Sequence, residues 1–167
     1  MKEIEVPKAY GNSTFCDDIR QEVGGKLSYM GVYNGSMTIH VPFPVLLPKF
    51  VIGITYFEKH NQVTSDVSFR VFMPGDAEDA PSARMDVPMA EHRAKTPPLV
   101  DPEFKTHEPV RRADFAFPFT PFLIQQRGFI RVRAFLGDEI VKLGSLKIDQ
   151  QTTDPLPGIL GPIEPQK

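Results

Sequence analysis

The sequence contains few of the residues that build covalently linked or metal-bound folds. Among its 167 residues there is one cysteine and no tryptophan, and a single cysteine excludes an internal disulfide framework. The four histidines are His40, His60, His92 and His107. No two of them have the short spacing of a zinc site, and the sequence has no phosphate-binding loop or nucleophile elbow. We therefore expect neither a metal nor any other cofactor.

Long apolar runs and an excess of one charge are also missing. No run approaches the roughly 20 apolar residues that cross a bilayer, and the first residues lack the apolar segment of a signal peptide. The formal net charge of -2 gives no overall attraction to nucleic acid or to anionic membranes. We expect a cytoplasmic protein that does not bind membranes and for which nucleic acid is a poor partner.

Proline and phenylalanine are abundant, with 17 and 13 residues. Proline is excluded from helix interiors and central strands, whereas phenylalanine favours strands and buries a large area. Alternation of apolar and polar residues recurs, while helical periodicity is hard to find. The sequence therefore predicts an all-β fold, a two-sheet antiparallel β-sandwich that is immunoglobulin-like or related, with about seven to nine strands. The clearest strand patterns lie at 26–33, 36–41, 49–57, 65–73, 111–119, 127–136 and 139–148.

Local signals refine three of these strands. Residues 49–57 are nearly all apolar, as in a strand that is buried on both faces. Gly137 and Asp138 supply the two-residue turn of a type II′ hairpin between the last two strands. The alternation of the final strand slips at Gly144, which predicts a β-bulge.

Proline placement divides the chain into one domain and two unusual segments. We expect a single β-sandwich domain over residues 1–148, interrupted by a proline-rich excursion at 74–110. This excursion contains either a short edge strand near 84–91 or one helical turn near 89–95. Residues 149–167 are predicted to form an extended proline-rich arm, which lies across the domain or a neighbouring subunit, or else frays.

The highest density of side-chain chemistry lies in residues 16–33. Gly24–Gly25, between two strand-like runs, predicts a tight two-residue hairpin in which Arg20 lies opposite Tyr29. A second interpretation, slightly preferred because two adjacent aspartates are poor strand residues, makes 17–25 an ordered loop with aspartate caps.

The hairpin interpretation divides this segment into two faces. The face expected to join the core carries Phe15, Ile19, Val23, Met30 and Val32. The segment also provides a candidate recognition surface, in which an arginine packs on a tyrosine ring and carboxylates can bind a cationic partner. The residues of this surface are Asp17, Asp18, Arg20, Glu22, Tyr29 and Tyr33. An ordinary solvated strand face explains the same residues.

Residues 16–33 follow the pattern Cys-Asp-Asp-x-Arg-x-Glu-x-x-Gly-Lys-x-Ser-x-x-Gly-Val-Tyr, and Leu47-Pro48-Lys49 precedes the next apolar strand. This pattern resembles an uncharacterised bacterial family that is labelled a domain of unknown function. The resemblance is clear over roughly residues 15–50 and looser beyond them. It implies a small β-sandwich with no assigned activity, and it transfers no catalytic residue.

For the cysteine and the acidic clusters, the sequence indicates structural and not catalytic or metal-binding roles. Cys16 has acidic neighbours, which raise the pKa of a thiol, so we expect a buried and unreactive cysteine. Acidic clusters could gather calcium at one end of a sandwich, but none has a regular calcium-loop pattern. These clusters are Asp76, Glu78 and Asp79, then Asp17 and Asp18, and finally Asp138 and Glu139. We interpret them as solvated loop acids.

The strand at 127–136 mixes basic and aromatic residues, as a stacking platform for nucleic acid does. The residues are Arg127, Phe129, Arg131, Arg133 and Phe135. A solvent-facing strand whose phenylalanines are covered by the excursion or the arm explains the same pattern, and we favour that interpretation.

The leading functional hypothesis is a non-enzymatic protein-binding or assembly module, with a protein partner or self-association through strand edges and extended arms. The alternative is an enzyme or small-ligand-binding protein with a pocket under the 74–110 excursion, using His92, His107 and nearby acids. Because no catalytic constellation stands out, the sequence favours the first.

Overall fold

The computed structural model describes residues 7–60, 66–99 and 109–151. They form twelve strands and one short helix. The first six strands are β1 (Ala9–Cys16), β2 (Asp18–Gln21), β3 (Leu27–Met30), β4 (Ser36–Ile39), β5 (Val45–Leu47) and β6 (Phe50–Lys59). There follow β7 (Val67–Phe72), β8 (Ala83–Val87), α1 (Met89–Lys95), β9 (Val110–Phe119), β10 (Phe122–Ile124), β11 (Gly128–Leu136) and β12 (Glu139–Gln150).

Two larger sheets make up the body of the fold. In the first sheet β6 lies between β1 and β9, and both pairings are antiparallel. The second sheet has the order β4-β12-β11-β7-β8 and is antiparallel except for the parallel pair of β12 with β4. Two short antiparallel sheets, β2–β3 and β5–β10, complete the fold. The all-β sandwich is therefore confirmed, but the described strands already exceed the predicted seven to nine.

The core lies between the two larger sheets and is rich in aromatic rings. Tyr56 of β6 meets Phe69 of β7 edge-on, with ring centroids 5.4 Å apart. The ring of Phe69 in turn lies 4.8 Å from that of Phe115 on β9. Phenylalanine fills this space because each ring buries a large apolar area.

Strand β6 is buried on both faces, as its apolar sequence predicted. Its outer face is covered by the β2–β3 hairpin, which passes over Gly53. A Cβ at Gly53 would lie 2.8 Å from Cε1 of Tyr29 and 3.1 Å from Cδ1 of Ile19. A residue without a side chain is needed there because the hairpin packs directly on the strand.

The predicted features of the last hairpin are confirmed. Leu136 pairs with Glu139, and Gly137 has the positive φ of +60° that a type II′ turn requires. The register of β12 shifts beside Gly144, whose φ is +134°. The bulge lets Leu143 remain in the core, where it is 2% exposed.

The predicted register of the β2–β3 hairpin is wrong by one residue. Arg20 lies opposite Ser28, not opposite Tyr29. The backbone amide of Glu22 donates to the carbonyl of Lys26, which leaves a three-residue tip in place of the predicted two. The glycines at the tip do have positive φ, but one extra residue changes every cross-strand partner.

The two interpretations of this segment are corrected in different ways. The loop interpretation of 17–25 is wrong for residues 18–21, which form β2. Asp17 is the single residue between the end of β1 and the start of β2. The predicted core face is wrong for three residues, because Val23, Met30 and Val32 are exposed by 96%, 41% and 54%.

The described part of the 74–110 excursion contains both elements offered as alternatives. Strand β8 forms the edge of the second sheet, and α1 follows it. Met89 of α1 is fully buried in the core. Residues 100–108 lie outside the described part of the chain, as do residues 152–167 of the predicted arm. Strand β12 continues to Gln150, two residues past the predicted end of the domain at 148.

Among the residues that the structure describes, no helix is both long enough and apolar enough to cross a membrane.

Candidate functional site on the outer faces of the sandwich

The base of the β2–β3 hairpin is joined to the core through two residues of the predicted surface. The hydroxyl of Tyr33 donates to Oδ1 of Asp17 over 2.6 Å, and its ring lies 5.9 Å from that of Phe50. Gly31 has a φ of +65°, and a Cβ there would collide with the Asp17 carboxylate. Burial, followed by the Asp17 contact, raises the pKa of the Tyr33 phenol well above its usual range. These residues anchor the hairpin.

Asp18 makes a separate cluster with two cations. Its carboxylate accepts from Nζ of Lys49 over 2.5 Å and from Nε of Arg20 over 3.3 Å. The Lys49 contact, followed by that of Arg20, lowers the pKa of Asp18. The structure therefore brings Asp18 and Arg20 together as predicted. Lys49 is an additional partner that strand pairing could not reveal, because it lies 31 residues away in the chain.

The remaining predicted residues do not complete one recognition surface. Tyr29 packs over Gly53, and burial, followed by the charge of Asp114, raises the pKa of its phenol. Arg20 therefore pairs with a carboxylate and not with a tyrosine ring. Glu22 is exposed and makes no side-chain ion pair with another described residue. The predicted set thus divides into an anchor, an ion-pair cluster and an exposed acid.

The exposed part of the hairpin is more apolar than the sequence suggested. Four of its apolar residues are exposed by 41% or more, namely Val23, Leu27, Met30 and Val32. The sequence analysis missed the three-residue tip of the hairpin. This tip shifts the register, and the shift turns residues that were assigned to the core toward solvent.

Cys16 is buried, as predicted. Its side chain has no exposed surface, and its Sγ donates to the carbonyl of Val51 over 3.6 Å. Burial, followed by the charge of Asp17, raises the pKa of the Cys16 thiol. A raised pKa disfavours the thiolate, which is the nucleophilic form of cysteine.

The basic strand β11 is partly covered by the excursion. Arg131 and Arg133 both contact the carboxylate of Glu78, and their guanidinium groups lie 5.3 Å from the ring centroid of Phe72. The excursion therefore covers these two arginines through Glu78, but the prediction that the phenylalanines of this strand are covered is wrong for Phe129. Phe129 is 52% exposed.

One acid of the predicted clusters, Asp76, makes local contacts in the loop after β7. Oδ2 of Asp76 accepts from the amide of Met73 over 2.7 Å and from the amide and hydroxyl of Ser82 over 2.9 and 2.7 Å. Over residues 7–60, 66–99 and 109–151, no three histidine, cysteine or acidic side chains are grouped closely enough to hold a metal ion.

A cavity of about 270 Å³ opens beside the same loop. Its lining combines apolar and polar residues, including Met73, Asp76, Ser82, Gln125, Gln126 and Ile130. His92 does not line it; that ring lies 6.0 Å from the ring of Phe115, and His107 is outside the described residues. The structure therefore does not bring His92 into this pocket.

Neither a family model, nor a curated protein, nor a solved structure matches this chain. The resemblance to an uncharacterised bacterial family stays a prediction.

Proposed function

We propose that this protein is a non-enzymatic binding or assembly module that contacts a protein partner, or a second copy of itself, through the β2–β3 hairpin. The observation that carries the proposal is the exposure of four apolar side chains on one short hairpin, Val23, Leu27, Met30 and Val32. Single exposed apolar residues are common on monomers, whereas a concentration of them marks interaction sites.

The firm attachment of the hairpin supports this proposal. Tyr33 is hydrogen bonded to Asp17 at the base, and Tyr29 packs on Gly53 in the middle. A segment that is already ordered loses little conformational freedom when a partner binds, so more of the contact energy appears as affinity.

The polar residues around the tip support a macromolecular partner. Glu22 and Lys26 flank the tip, and the side chain of Arg20 is 61% exposed. Protein interfaces combine an apolar centre with a polar rim, whereas small-molecule sites are usually concave.

A matched pair of double variants tests the proposal. Val23→Ser with Leu27→Ser removes apolar surface from the hairpin, and Val41→Ser with Leu46→Ser removes the same residue types elsewhere. The control residues are exposed by 54% and 61%. Proteins cross-linked to the full chain in its native cells are quantified by mass spectrometry, and the leading partner is purified and titrated by calorimetry.

We expect the hairpin variant to lose at least about tenfold in affinity, because two buried apolar contacts each contribute on the order of 1 kcal/mol. The control should bind like the wild type. Equal binding by all three proteins would contradict the proposal, as would the absence of any complex, including a self-associated one in sedimentation equilibrium.

A second candidate function, binding of a small ligand, is favoured by the cavity beside Asp76. Compounds that raise the melting temperature of the wild type should lose this effect in Gln125→Trp, which fills the cavity, but not in Gln151→Trp, which does not line it. A library without hits, or hits that are insensitive to Gln125→Trp, would contradict this candidate.

A further inference from the structure

A row of four cationic residues crosses the outer face of the second sheet. Arg84 on β8 lies directly opposite Arg70 on β7, Arg70 opposite Arg133 on β11, and Arg133 opposite Lys142 on β12. Directly opposed residues share a face of the sheet. Since strands are about 4.8 Å apart, the row spans about 14 Å. Like charges in opposed positions are unfavourable, so a row of this kind calls for counter-charges.

One counter-charge comes from the loop between β7 and β8. A Glu78 carboxylate oxygen accepts from Nη1 of Arg131 over 2.5 Å, and both its oxygens contact Arg133. The side chain of Glu78 is 63% exposed, whereas those of Arg131 and Arg133 are 29% and 17% exposed. The carboxylate thus lies on top of the arginines at the protein surface.

The arginines are held in position by aromatic rings beneath them. The guanidinium carbon of Arg70 lies 3.9 Å from the ring centroid of Phe135, and Arg131 and Arg133 lie over Phe72, which has no exposed surface. Such stacking fixes the guanidinium groups for an incoming anion. Phe72 therefore offers no exposed face on which a nucleic-acid base could stack, while Phe135 is half-buried.

The row retains cations without a carboxylate of their own. Arg84 pairs with Asp86. Arg70 donates to the hydroxyl of Ser68 and makes no ion pair with a described residue, although its charge, after the hydrogen bond from Arg84, contributes to the lowered pKa of Asp86. Lys142 makes no ion pair with any other residue in the described part of the chain. These two cations can therefore accept further anions.

We propose that this row binds an acidic segment of a polypeptide, and that Glu78 occupies the place of one of its carboxylates until the segment displaces it. The Glu78 contact shows that a carboxylate fits between two of the arginines. In an extended chain, side chains on one side recur about every 6.6 Å, so about three carboxylates match a row of 14 Å. This surface is on the opposite sheet from the β2–β3 hairpin, and the inference does not rest on the function proposed for that hairpin.

The test measures fluorescence anisotropy of a fluorescein-labelled oligoglutamate of about eight residues, which spans about 26 Å when extended. The full chain is compared with Glu78→Gln and with Asp79→Asn. Both variants remove one negative charge from the same loop, but Asp79 makes no ion pair with a described residue. A general charge effect would change the peptide affinity of both variants equally, whereas displacement of the carboxylate by the peptide would change only that of the Glu78 variant.

We expect Glu78→Gln to bind the peptide about tenfold more tightly than Asp79→Asn, because it frees the two guanidinium groups that donate to the Glu78 carboxylate. Arg70→Gln and Lys142→Gln, with folding checked by circular dichroism, should each weaken binding several-fold. Equal affinities of Glu78→Gln and Asp79→Asn would overturn the proposal, and so would no binding by Glu78→Gln. Tighter, Glu78-sensitive binding of an oligothymidylate of equal charge would instead assign the row to nucleic acid.

Discussion

Two glutamate–arginine contacts tie the 74–110 excursion to the sandwich, one to each large sheet. Glu58 of β6 is 1% exposed and accepts from Nε and Nη2 of Arg93 on α1 over 2.7 and 3.1 Å. Glu78 of the preceding loop reaches Arg131 and Arg133 on β11, and it is 63% exposed. The chemical groups are the same, but their surroundings differ.

Burial determines what each contact can do. A buried carboxylate that loses its partner keeps its charge away from water, which is strongly unfavourable. An exposed carboxylate exchanges its arginine partners for water at little cost, so that another anion can take its place on the arginines. The Glu58–Arg93 pair is therefore suited to fixing α1 in place, and the Glu78 contact is suited to exchange.

The largest expected effect comes from breaking the buried pair. Arg93→Ala should reduce the free energy of unfolding by about 3–5 kcal/mol, because it removes the guanidinium that donates two hydrogen bonds to the buried Glu58 carboxylate. Urea denaturation followed by circular dichroism measures the change. The control is Lys95→Ala in the same helix, whose side chain is 78% exposed, and its effect should be below about 0.5 kcal/mol. Equal losses in the two variants would contradict the role of burial.

An intermediate effect is expected at the base of the hairpin. Tyr33→Phe removes the hydrogen bond to Asp17 and should cost about 1 kcal/mol of unfolding free energy. Because the pKa of Tyr33 is raised, the folded protein holds the phenol proton more tightly than the unfolded chain. The advantage of the wild type over Tyr33→Phe is therefore complete below about pH 10 and decreases as the pH rises further. Denaturation at pH 7 and at pH 10.5 measures this; a constant difference would contradict it.

The smallest effect on stability is expected from Glu78→Gln, because its ion pairs are exposed. Hydrogen bonds from Arg133, then Arg131, lower the pKa of Glu78. The contribution of the ionised carboxylate is therefore present above the ordinary glutamate pKa and is lost as the pH falls below it. Urea midpoints of the wild type and Glu78→Gln should converge between pH 5 and about pH 3. A difference as large as that of Arg93→Ala would place Glu78 among the structural contacts.

Several features of the fold could be predicted because they depend on neighbouring residues. The turn at Gly137 and the bulge at Gly144 follow from backbone freedom, and the burial of β6 follows from its continuous apolar run. Within the excursion, β8 and α1 could be predicted from local sequence signals alone.

The site was less predictable because it depends on loop length and on distant contacts. One extra residue at the tip shifted the hairpin register and exposed Val23. The pairing of Glu78 with Arg133 joins residues 55 positions apart. The parallel pairing of β4 with β12 has no local signal either. The row of cations appears only when the order of β8, β7, β11 and β12 is known.

Hydrogen–deuterium exchange of the wild type with and without oligoglutamate tests the difference between the two contacts most directly. If the peptide displaces Glu78, the amides of Met73 and Ser82, which donate to Asp76 in the same loop, should exchange faster. The amide of Thr96 at the end of α1 should keep its rate, because the buried pair is untouched. Unchanged loop exchange in the presence of bound peptide, or equal acceleration at α1, would contradict the account.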